Sequence, residues 1–260
     1  MEIMNIIITG RVTQVILLIL FCIIAVYFTK TLPKTPGIRR VPALDAIDEC
    51  VGRATEMGRP IHISSGNPNV IGSGDTQTMA GLSVLNYVAD LCASRDARII
   101  DTSYKAEQQV MQQDIIKSAF TKHGKLENYN PNDSYFFSGT AYAPGIIGVI
   151  EDERCVANII IGNFHGNFAL AFMPYAFRGD VIQIGGTSNV TNLPHMAALV
   201  DYLVIAEEMF AMDAYLTKDK NKLSVLYGAE IIKYGILAWI SIGAFSYAFG
   251  LKILADIIHM

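Results

Sequence analysis

The sequence predicts an α/β protein: a Rossmann-like, doubly wound and mostly parallel sheet, flanked by an N-terminal and a C-terminal transmembrane helix. Three observations carry that expectation. Two apolar runs, Val12–Phe28 and Ile231–Leu254, stand at opposite ends of the chain. Between them, short β-branched runs alternate with longer helical patterns, which is the signature of parallel strands joined by helices. One stretch, Arg59–Asp75 (RPIHISSGNPNVIGSGD), reads as a strand entering a glycine-rich loop, and it has an echo at Ala157–Asn167 (ANIIIGNFHGN).

Length and composition narrow the class. A chain of 260 residues suits one domain with additions. Apolar residues make up 52% and charged residues 17%, a balance that directs attention to the membrane. The net charge of −4 argues against nucleic acid as a partner. Cys22 lies inside the first apolar run. Cys50, Cys92 and Cys155 have no C-x-x-C spacing and read as buried thiols of a reducing compartment. No set of histidines, cysteines and carboxylates has metal-ligand spacing, so no metal is expected.

Val12–Phe28 carries no charge, and with its flanks it reaches the length of a spanning helix. No small-x-small cleavage pattern follows it, so an uncleaved anchor is expected. Ile231–Leu254 is apolar between Lys233 and Lys252 and carries Gly235, Gly243, Ala244, Ser246 and Gly250, residues that let membrane helices approach closely. Lys30, Lys34, Arg39 and Arg40 follow the first segment, and Lys218, Lys220, Lys222 and Lys233 precede the second. Positive residues stay inside, so the central region is expected in the cytoplasm and both termini outside the cell membrane. The sequons at Asn132 and Asn189 then carry no sugar. The expected segments are an anchor over 1–30, a proline-rich linker over 31–42, an α/β domain over 43–218, and a juxtamembrane piece with the last helix over 219–260.

Within the domain the expected elements follow in order. Ala43–Met57 is a helix, with Pro42 at its start, acidic residues near its N-terminus and Gly58 as its stop. Ile61–Ser64 is a strand and Thr76–Ser94 a helix. Ala97–Asp101 is a strand, Tyr104–Thr121 a polar helix, Tyr135–Ser138 a strand and Ala141–Ile150 a helix. Val156–Ile161 is a strand, followed by a helical run over Phe168–Phe177. Asp180–Ile184 is a strand, and Pro194–Lys218 is one long helix carrying Asp201, Glu207, Glu208 and Asp213 on a solvated face. The echo pairs Ile63–Asn67 with Ile159–Asn163, and each return strand ends in Thr-Ser.

In open α/β sheets, ligands bind beyond the carboxyl ends of the strands. The candidate ligand-binding residues are therefore Gly66, Asn67, Gly72, Gly74 and Asp75 after the first strand, and Asp101 after the second. Gly162, Asn163 and His165 follow in the echo, and Gly185, Gly186 and Thr187 after the strand beyond it. Their backbone amides would cradle an anion at a helix N-terminus. Neither the P-loop nor the G-x-G-x-x-G spacing is present, and tight turns alone also account for the glycines. His165 is the histidine best placed to exchange a proton. His62 lies on a strand and reads as structural. No catalytic set and no cofactor is identified.

The run PALDAIDECVGRATEMGRPIH (42–62), with SGTAYAPG (138–145) and I-G-x-F-x-x-N-F (161–168), resembles an uncharacterised family of archaeal and bacterial membrane-anchored proteins that have a Rossmann-like cytoplasmic domain and no assigned activity. The resemblance implies the architecture and brings no functional residues. Two functions are expected from the whole. One is a binding or scaffold module in a membrane assembly, with the lipid bilayer and further copies or other membrane subunits as partners. The other is a membrane-tethered enzyme or sensor that binds a nucleotide or other anionic metabolite at the Gly-Asn loops.

Overall fold

Proline at a first turn, an acidic residue beside it and an apolar stripe of Leu44, Ile47, Val51 and Ala54 make α1, Pro42–Met57, the element that leads into the sheet. Gly58 ends it, its amide donating back to the Ala54 carbonyl. The computed structural model describes residues 41–66, 76–164, 168–205 and 207–217, together with residues 19, 22–23, 26–27, 231–238, 240–241 and 243–244. The chain divides into one compact unit over Arg39–Thr217 and another over Met1–Ile38 with Lys218–Met260.

In the larger unit α1 is followed by β1 (Ile61–Gly66), α2 (Thr76–Ser94), β2 (Ile99–Ser103), α3 (Ala106–Lys122), β3 (Ser134–Phe136), α4 (Tyr142–Asp152), β4 (Ala157–Asn163), β5 (Ile182–Thr187), α5 (Leu193–Leu199), β6 (Tyr202–Ile205) and α6 (Glu207–Thr217). The six strands form one sheet in the order β3-β2-β1-β4-β5-β6, and every pair is parallel. This is the doubly wound, Rossmann-like order, and it reverses direction between β1 and β4. Strand alternation sorts the core into two layers. Ile61, Ile63, Ile99, Ile159 and Ile184 face α1, α2, α3 and α6. Ile100 and Ile160 face α4, α5 and the short 3-10 turns between β4 and β5. The central strands are buried on both faces, as a parallel sheet covered by helices requires.

Several expected elements differ from those observed. The single helix expected over Pro194–Lys218 is α5, β6 and α6. Tyr202–Ile205 is a run of β-formers that pairs along β5, from Ile184 opposite Tyr202 to Thr187 opposite Ile205. Asp201 seats its start by accepting the Gln183 amide at 2.8 Å, so this residue lies ahead of β6 and not on a solvated helix. The helical run expected over Phe168–Phe177 is two 3-10 turns, Phe168–Ala171 and Met173–Tyr175, with Pro174 removing a helix donor. The β-loop-α-β echo is therefore an echo of strands, since among the described residues no α-helix joins β4 to β5. Lastly, β2 and β5 extend farther than expected, through Ser103 and Thr187.

The expected spans Val12–Phe28 and Ile231–Leu254 lie largely outside the described residues, as do the linker residues 31–40. Among the described residues, no helix is long and apolar enough to cross a membrane. Those described in the smaller unit are helical. Ile19, Ile23, Val26 and Tyr27 are exposed, and so are Tyr234, Ile236, Leu237 and Ile240.

Two glycines within helices make opposite demands. Gly52 in α1 has nothing within 4 Å of a Cβ position, whereas a Cβ on Gly81 of α2 would overlap the Ile161 carbonyl oxygen of β4. Gly52→Ala should stabilise the domain by about 0.5–1 kcal/mol through the unfolded chain. Gly81→Ala should destabilise it by roughly 1–3 kcal/mol despite the same gain in helix propensity. Thermal melts should move in opposite directions, by roughly 2–4 °C per kcal/mol.

Candidate functional site

The carboxyl end of the sheet, where β1 and β4 meet, is built by glycines. β1 bulges between Ser64 and Gly66, and Gly66 takes a left-handed φ of 95°. It pairs with Asn163 so closely that a Cβ on Gly66 would overlap the Asn163 carbonyl. A Cβ on Gly162 would likewise overlap the Ser65 carbonyl. With Gly81 of α2 against Ile161, three glycines let two strands and one helix close on a single point. It is the point at which a doubly wound sheet opens a crevice for ligands.

Uncommitted polar atoms gather beside this crossing. Gln112 of α3 donates Nε2 to Ser65 Oγ at 3.2 Å, and its Oε1 has no partner among the described residues. Gln108, one turn earlier, accepts the Tyr104 amide at 3.3 Å, and its Nε2 has no partner among the described residues. Thr78 Oγ1, in the first turn of α2, likewise has no partner among the described residues. All three side chains are buried. A buried polar group without a partner costs roughly 1–3 kcal/mol, so three of them near one crossing call for an explanation. The rim is braced from β5: Gln77 of α2 accepts the Ser188 amide at 3.2 Å, and Asn189 and Asn192 both donate to the Phe164 carbonyl at 2.8 Å.

The sequence-derived candidates distribute unevenly about this site. Gly66, Gly162, Asn163 and Thr187 lie at the carboxyl ends of β1, β4 and β5. Gly185 and Gly186 are buried inside β5 and do not form a loop. Their missing side chains leave room for Phe172 and Val200 over one, and for Ile161 and Val204 over the other. Asp101 sits in the middle of β2, away from the strand's end, and faces α3. Asn67, Gly72, Gly74, Asp75 and His165 lie outside the described residues. Gln108 and Gln112 escape a sequence reading because glutamine on a polar helix normally faces water, and nothing in the sequence around Thr78 marks it as buried. The signal available was that Gln108 and Gln112 are one turn apart and so share a face.

Below the rim, on the α4 side of the sheet, a polar ladder crosses the central strands. His62 Nδ1 donates to Asn158 Oδ1 at 2.8 Å, and its Nε2 accepts the Thr102 hydroxyl at 2.9 Å. Ser64 Oγ donates to the Thr102 carbonyl at 2.8 Å and accepts from the Tyr142 hydroxyl. Among the described residues Asn158 Nδ2 and Gln183 Oε1 have no partner, although these residues are register partners in β4 and β5. Burial lowers His62 to about 4, so at neutral pH it is an uncharged strut of the sheet. Burial pushes the thiols of Cys50, Cys92 and Cys155 up to about 12, which removes their nucleophilic character. Among the described residues, no three His, Cys, Asp or Glu side chains gather as metal ligands. The rim therefore offers uncharged donors and acceptors, suited to holding a polar group.

A family model described as a domain of unknown function, DUF6754, matches residues 3–258. No curated protein matches the chain, and no solved structure does.

Two buried groups titrate in opposite senses, which fixes a pH experiment. Burial lifts Asp101 to about 7, with the Ser134 hydroxyl as its hydrogen-bond donor at 2.9 Å. His62, held near 4 in the folded chain, takes up a proton on unfolding below its ordinary value of 6.5, so its contribution to stability shrinks as pH falls. Asp101 is protonated when folded and ionised when unfolded between 3.8 and about 7, so its contribution shrinks as pH rises through that window. The two effects, roughly 3 and 4 kcal/mol at full extent, oppose each other between about pH 4.5 and 6. Urea unfolding of the wild type should be nearly flat over that range. His62→Gln should become less stable with rising pH, and Asp101→Asn more stable. Parallel curves for all three proteins would refute the assignment.

Proposed function

The chain belongs to the DUF6754 family, a domain of unknown function, and for this member we propose a binding module held at the cell membrane by a helix at each end, serving as a scaffold subunit of an oligomeric membrane assembly. The observation that carries the reading is the outward display of apolar side chains by helical residues on both flanks of the domain. Ile19, Ile23, Val26 and Tyr27 share one helical stripe, and Tyr234, Ile236, Leu237 and Ile240 are exposed at the other end. Apolar surface left in water costs about 25 cal/mol per Å², so such helices gain by meeting lipid or another helix. The lysines and arginines that border the domain on both sides support a cytoplasmic domain with both termini outside.

The membrane test is an alkaline carbonate wash of cells producing the full chain. The protein should stay with the membrane pellet, and its detergent-solubilised form should elute above the mass of one chain. Release by carbonate would overturn the anchoring, and a strict monomer without a co-purifying subunit would overturn the scaffold.

A second reading, a membrane-tethered enzyme or sensor of a nucleotide or another anionic metabolite, rests on the unpaired Thr78, Gln108 and Gln112 atoms beside the β1–β4 crossing. Both α2 and α3 begin at this end of the sheet, and their N-terminal amides favour negative charge. Thermal-shift measurements on the full chain with a panel of nucleotides should then raise the melting temperature for at least one. Gln108→Leu should abolish that shift. A panel without any shift removes the nucleotide version.

A further inference from the structure

The two ends of the sheet differ in charge. The six strands are parallel, so all of them start at one end and finish at the other. The connections at the amino end are ionic. Arg95 pairs with Asp48, Arg98 with Asp133 and Glu153, Lys125 with Asp96, and Arg178 with Glu151 and Asp180. These cations stand just after α2 and α3 or just before β2 and β5. The carboxyl end is different. Residues 137–141, between β3 and α4, and residues 188–192, between β5 and α5, contain no charged side chain. Between β2 and α3 the single charged residue is Lys105.

This charge-poor end displays apolar side chains. Met79 in the first turn of α2, Phe136 at the last position of β3, Val190 after β5 and Ile205 at the last position of β6 are exposed, Val190 to 80%. Met57, Leu126 and Phe177 are exposed toward the amino end, but each is one or two positions from a cation: Arg59, Lys125 or Arg178. At the carboxyl end the acid Glu208 is turned back to the chain, accepting the Ile205 amide at 3.1 Å, while Glu107 is exposed. The helices α2, α3 and α4 begin there, and their first amides favour phosphate. The chain also enters the domain at this end. α1 stops at Gly58 beside the start of β1, so it runs opposite to β1, and Pro42 lies toward the carboxyl end. Val41 before it is buried in the core and follows Arg39 and Arg40 in sequence. Fully extended, residues 31–40 reach at most roughly 35 Å, which keeps this entry close to the proposed anchor. α6 ends at Thr217 toward the other end, and residues 218–230, at up to about 3.5 Å each, are long enough to return along it.

We propose that the carboxyl end of the sheet is a docking surface for the lipid bilayer. Met79, Phe136, Val190 and Ile205 enter the boundary between head groups and acyl chains, and the ion-paired amino end faces water. Lys105, with Arg39 and Arg40 in the chain just before Val41, supplies the positive charge that anionic head groups attract. The inference rests on the anchoring proposed above and adds to it the face of the domain that meets lipid. Ion pairs at the amino end would have to shed water to enter the interface, whereas the uncharged connections at the carboxyl end enter without that cost. The segregation of charge along the strand axis therefore selects one orientation.

The test is lipid quenching in the full chain, reconstituted into vesicles of phosphatidylcholine and phosphatidylglycerol. Val190→Cys, Met79→Cys, Leu126→Cys and Phe177→Cys are each made in a Cys22→Ser background and carry an environment-sensitive fluorophore. Cys50, Cys92 and Cys155 are buried and stay unlabelled. With nitroxide-bearing lipid, the labels at Val190→Cys and Met79→Cys should lose most of their emission, and those at Leu126→Cys and Phe177→Cys should keep theirs. Val190→Asp combined with Ile205→Asp should restore emission at Met79→Cys and leave the melting temperature unchanged. If a carboxyl-end variant fails to fold, Phe136→Cys takes its place. A label at Val190→Cys that shifts to the blue but escapes the nitroxide means that a second chain covers this face, and it overturns the lipid assignment. Quenching at the amino-end labels, equal quenching at both ends, or none at either end also overturns it. The carbonate wash reads the anchoring separately. A chain that stays in the pellet without quenching refutes the docking alone, and a released chain that is still quenched at Val190→Cys keeps the docking and loses the anchor.

Discussion

The close crossing of β1 and β4 is the constraint on which the rest of the domain depends. These strands are adjacent in the sheet but far apart in the chain, and α2 lies directly across their junction. Three carbonyl oxygens, those of Ser65, Ile161 and Asn163, occupy the volumes that side chains would need at Gly162, Gly81 and Gly66. The crossing sets the height of α2 over the sheet, and α2 in turn packs on α3 and α6. It also draws Ser65 beneath Gln112, which places the uncommitted amides at the rim. The geometry of the candidate site is in this sense a by-product of the packing at one glycine-lined point.

The two faces of β1 are held by different physics. Toward α2, Ile61 and Ile63 belong to a continuous apolar layer. Toward α4, His62 and Ser64 enter hydrogen bonds that reach β2, β4 and Tyr142. A shift of one residue would exchange these faces, driving His62 into the layer formed by Ile47, Leu85 and Val88 and leaving Asn158 without its donor. Apolar packing tolerates many arrangements, while directional bonds select one. The polar ladder thus specifies register in a strand whose flanks are otherwise interchangeably hydrophobic.

Much of this architecture was legible in the residues because the local signals are unambiguous there. Pro42, Asp45 and Gly58 mark the ends of α1, and the alternation of β-branched runs with helical patterns points to a parallel sheet. β6 was hidden because Leu199, Leu203, Ala206 and Phe210 also satisfy a helical period; only pairing to β5 decides between the two. Gly185-Gly186 resembles a phosphate loop in composition, yet it is a strand interior whose glycines admit Phe172 and Val204. Asp101 looked like the end of a strand because β2 was expected to stop there. Its actual place depends on Thr102 and Ser103 continuing the pairing with β3. The polar rim could not be read at all, since the burial of Gln108 and Gln112 comes from the way α2 and α3 close over Ser65.

The order of the strands also bears on how the chain is made. His62 and Asn158 are 96 positions apart, so the central pairing must wait until most of the domain has left the ribosome. In the final sheet β4 covers the inner edge of β1, so a half-sheet of β1, β2 and β3 formed before β4 emerges would present an unpaired edge. Long-range closure of this kind is slow and leaves apolar strands open to wrong partners. Anchoring of the N-terminal flank, as proposed above, would confine such a nascent half-sheet to a surface while it waits for its other half, separating each chain from its neighbours during the interval in which it is most vulnerable to misassembly.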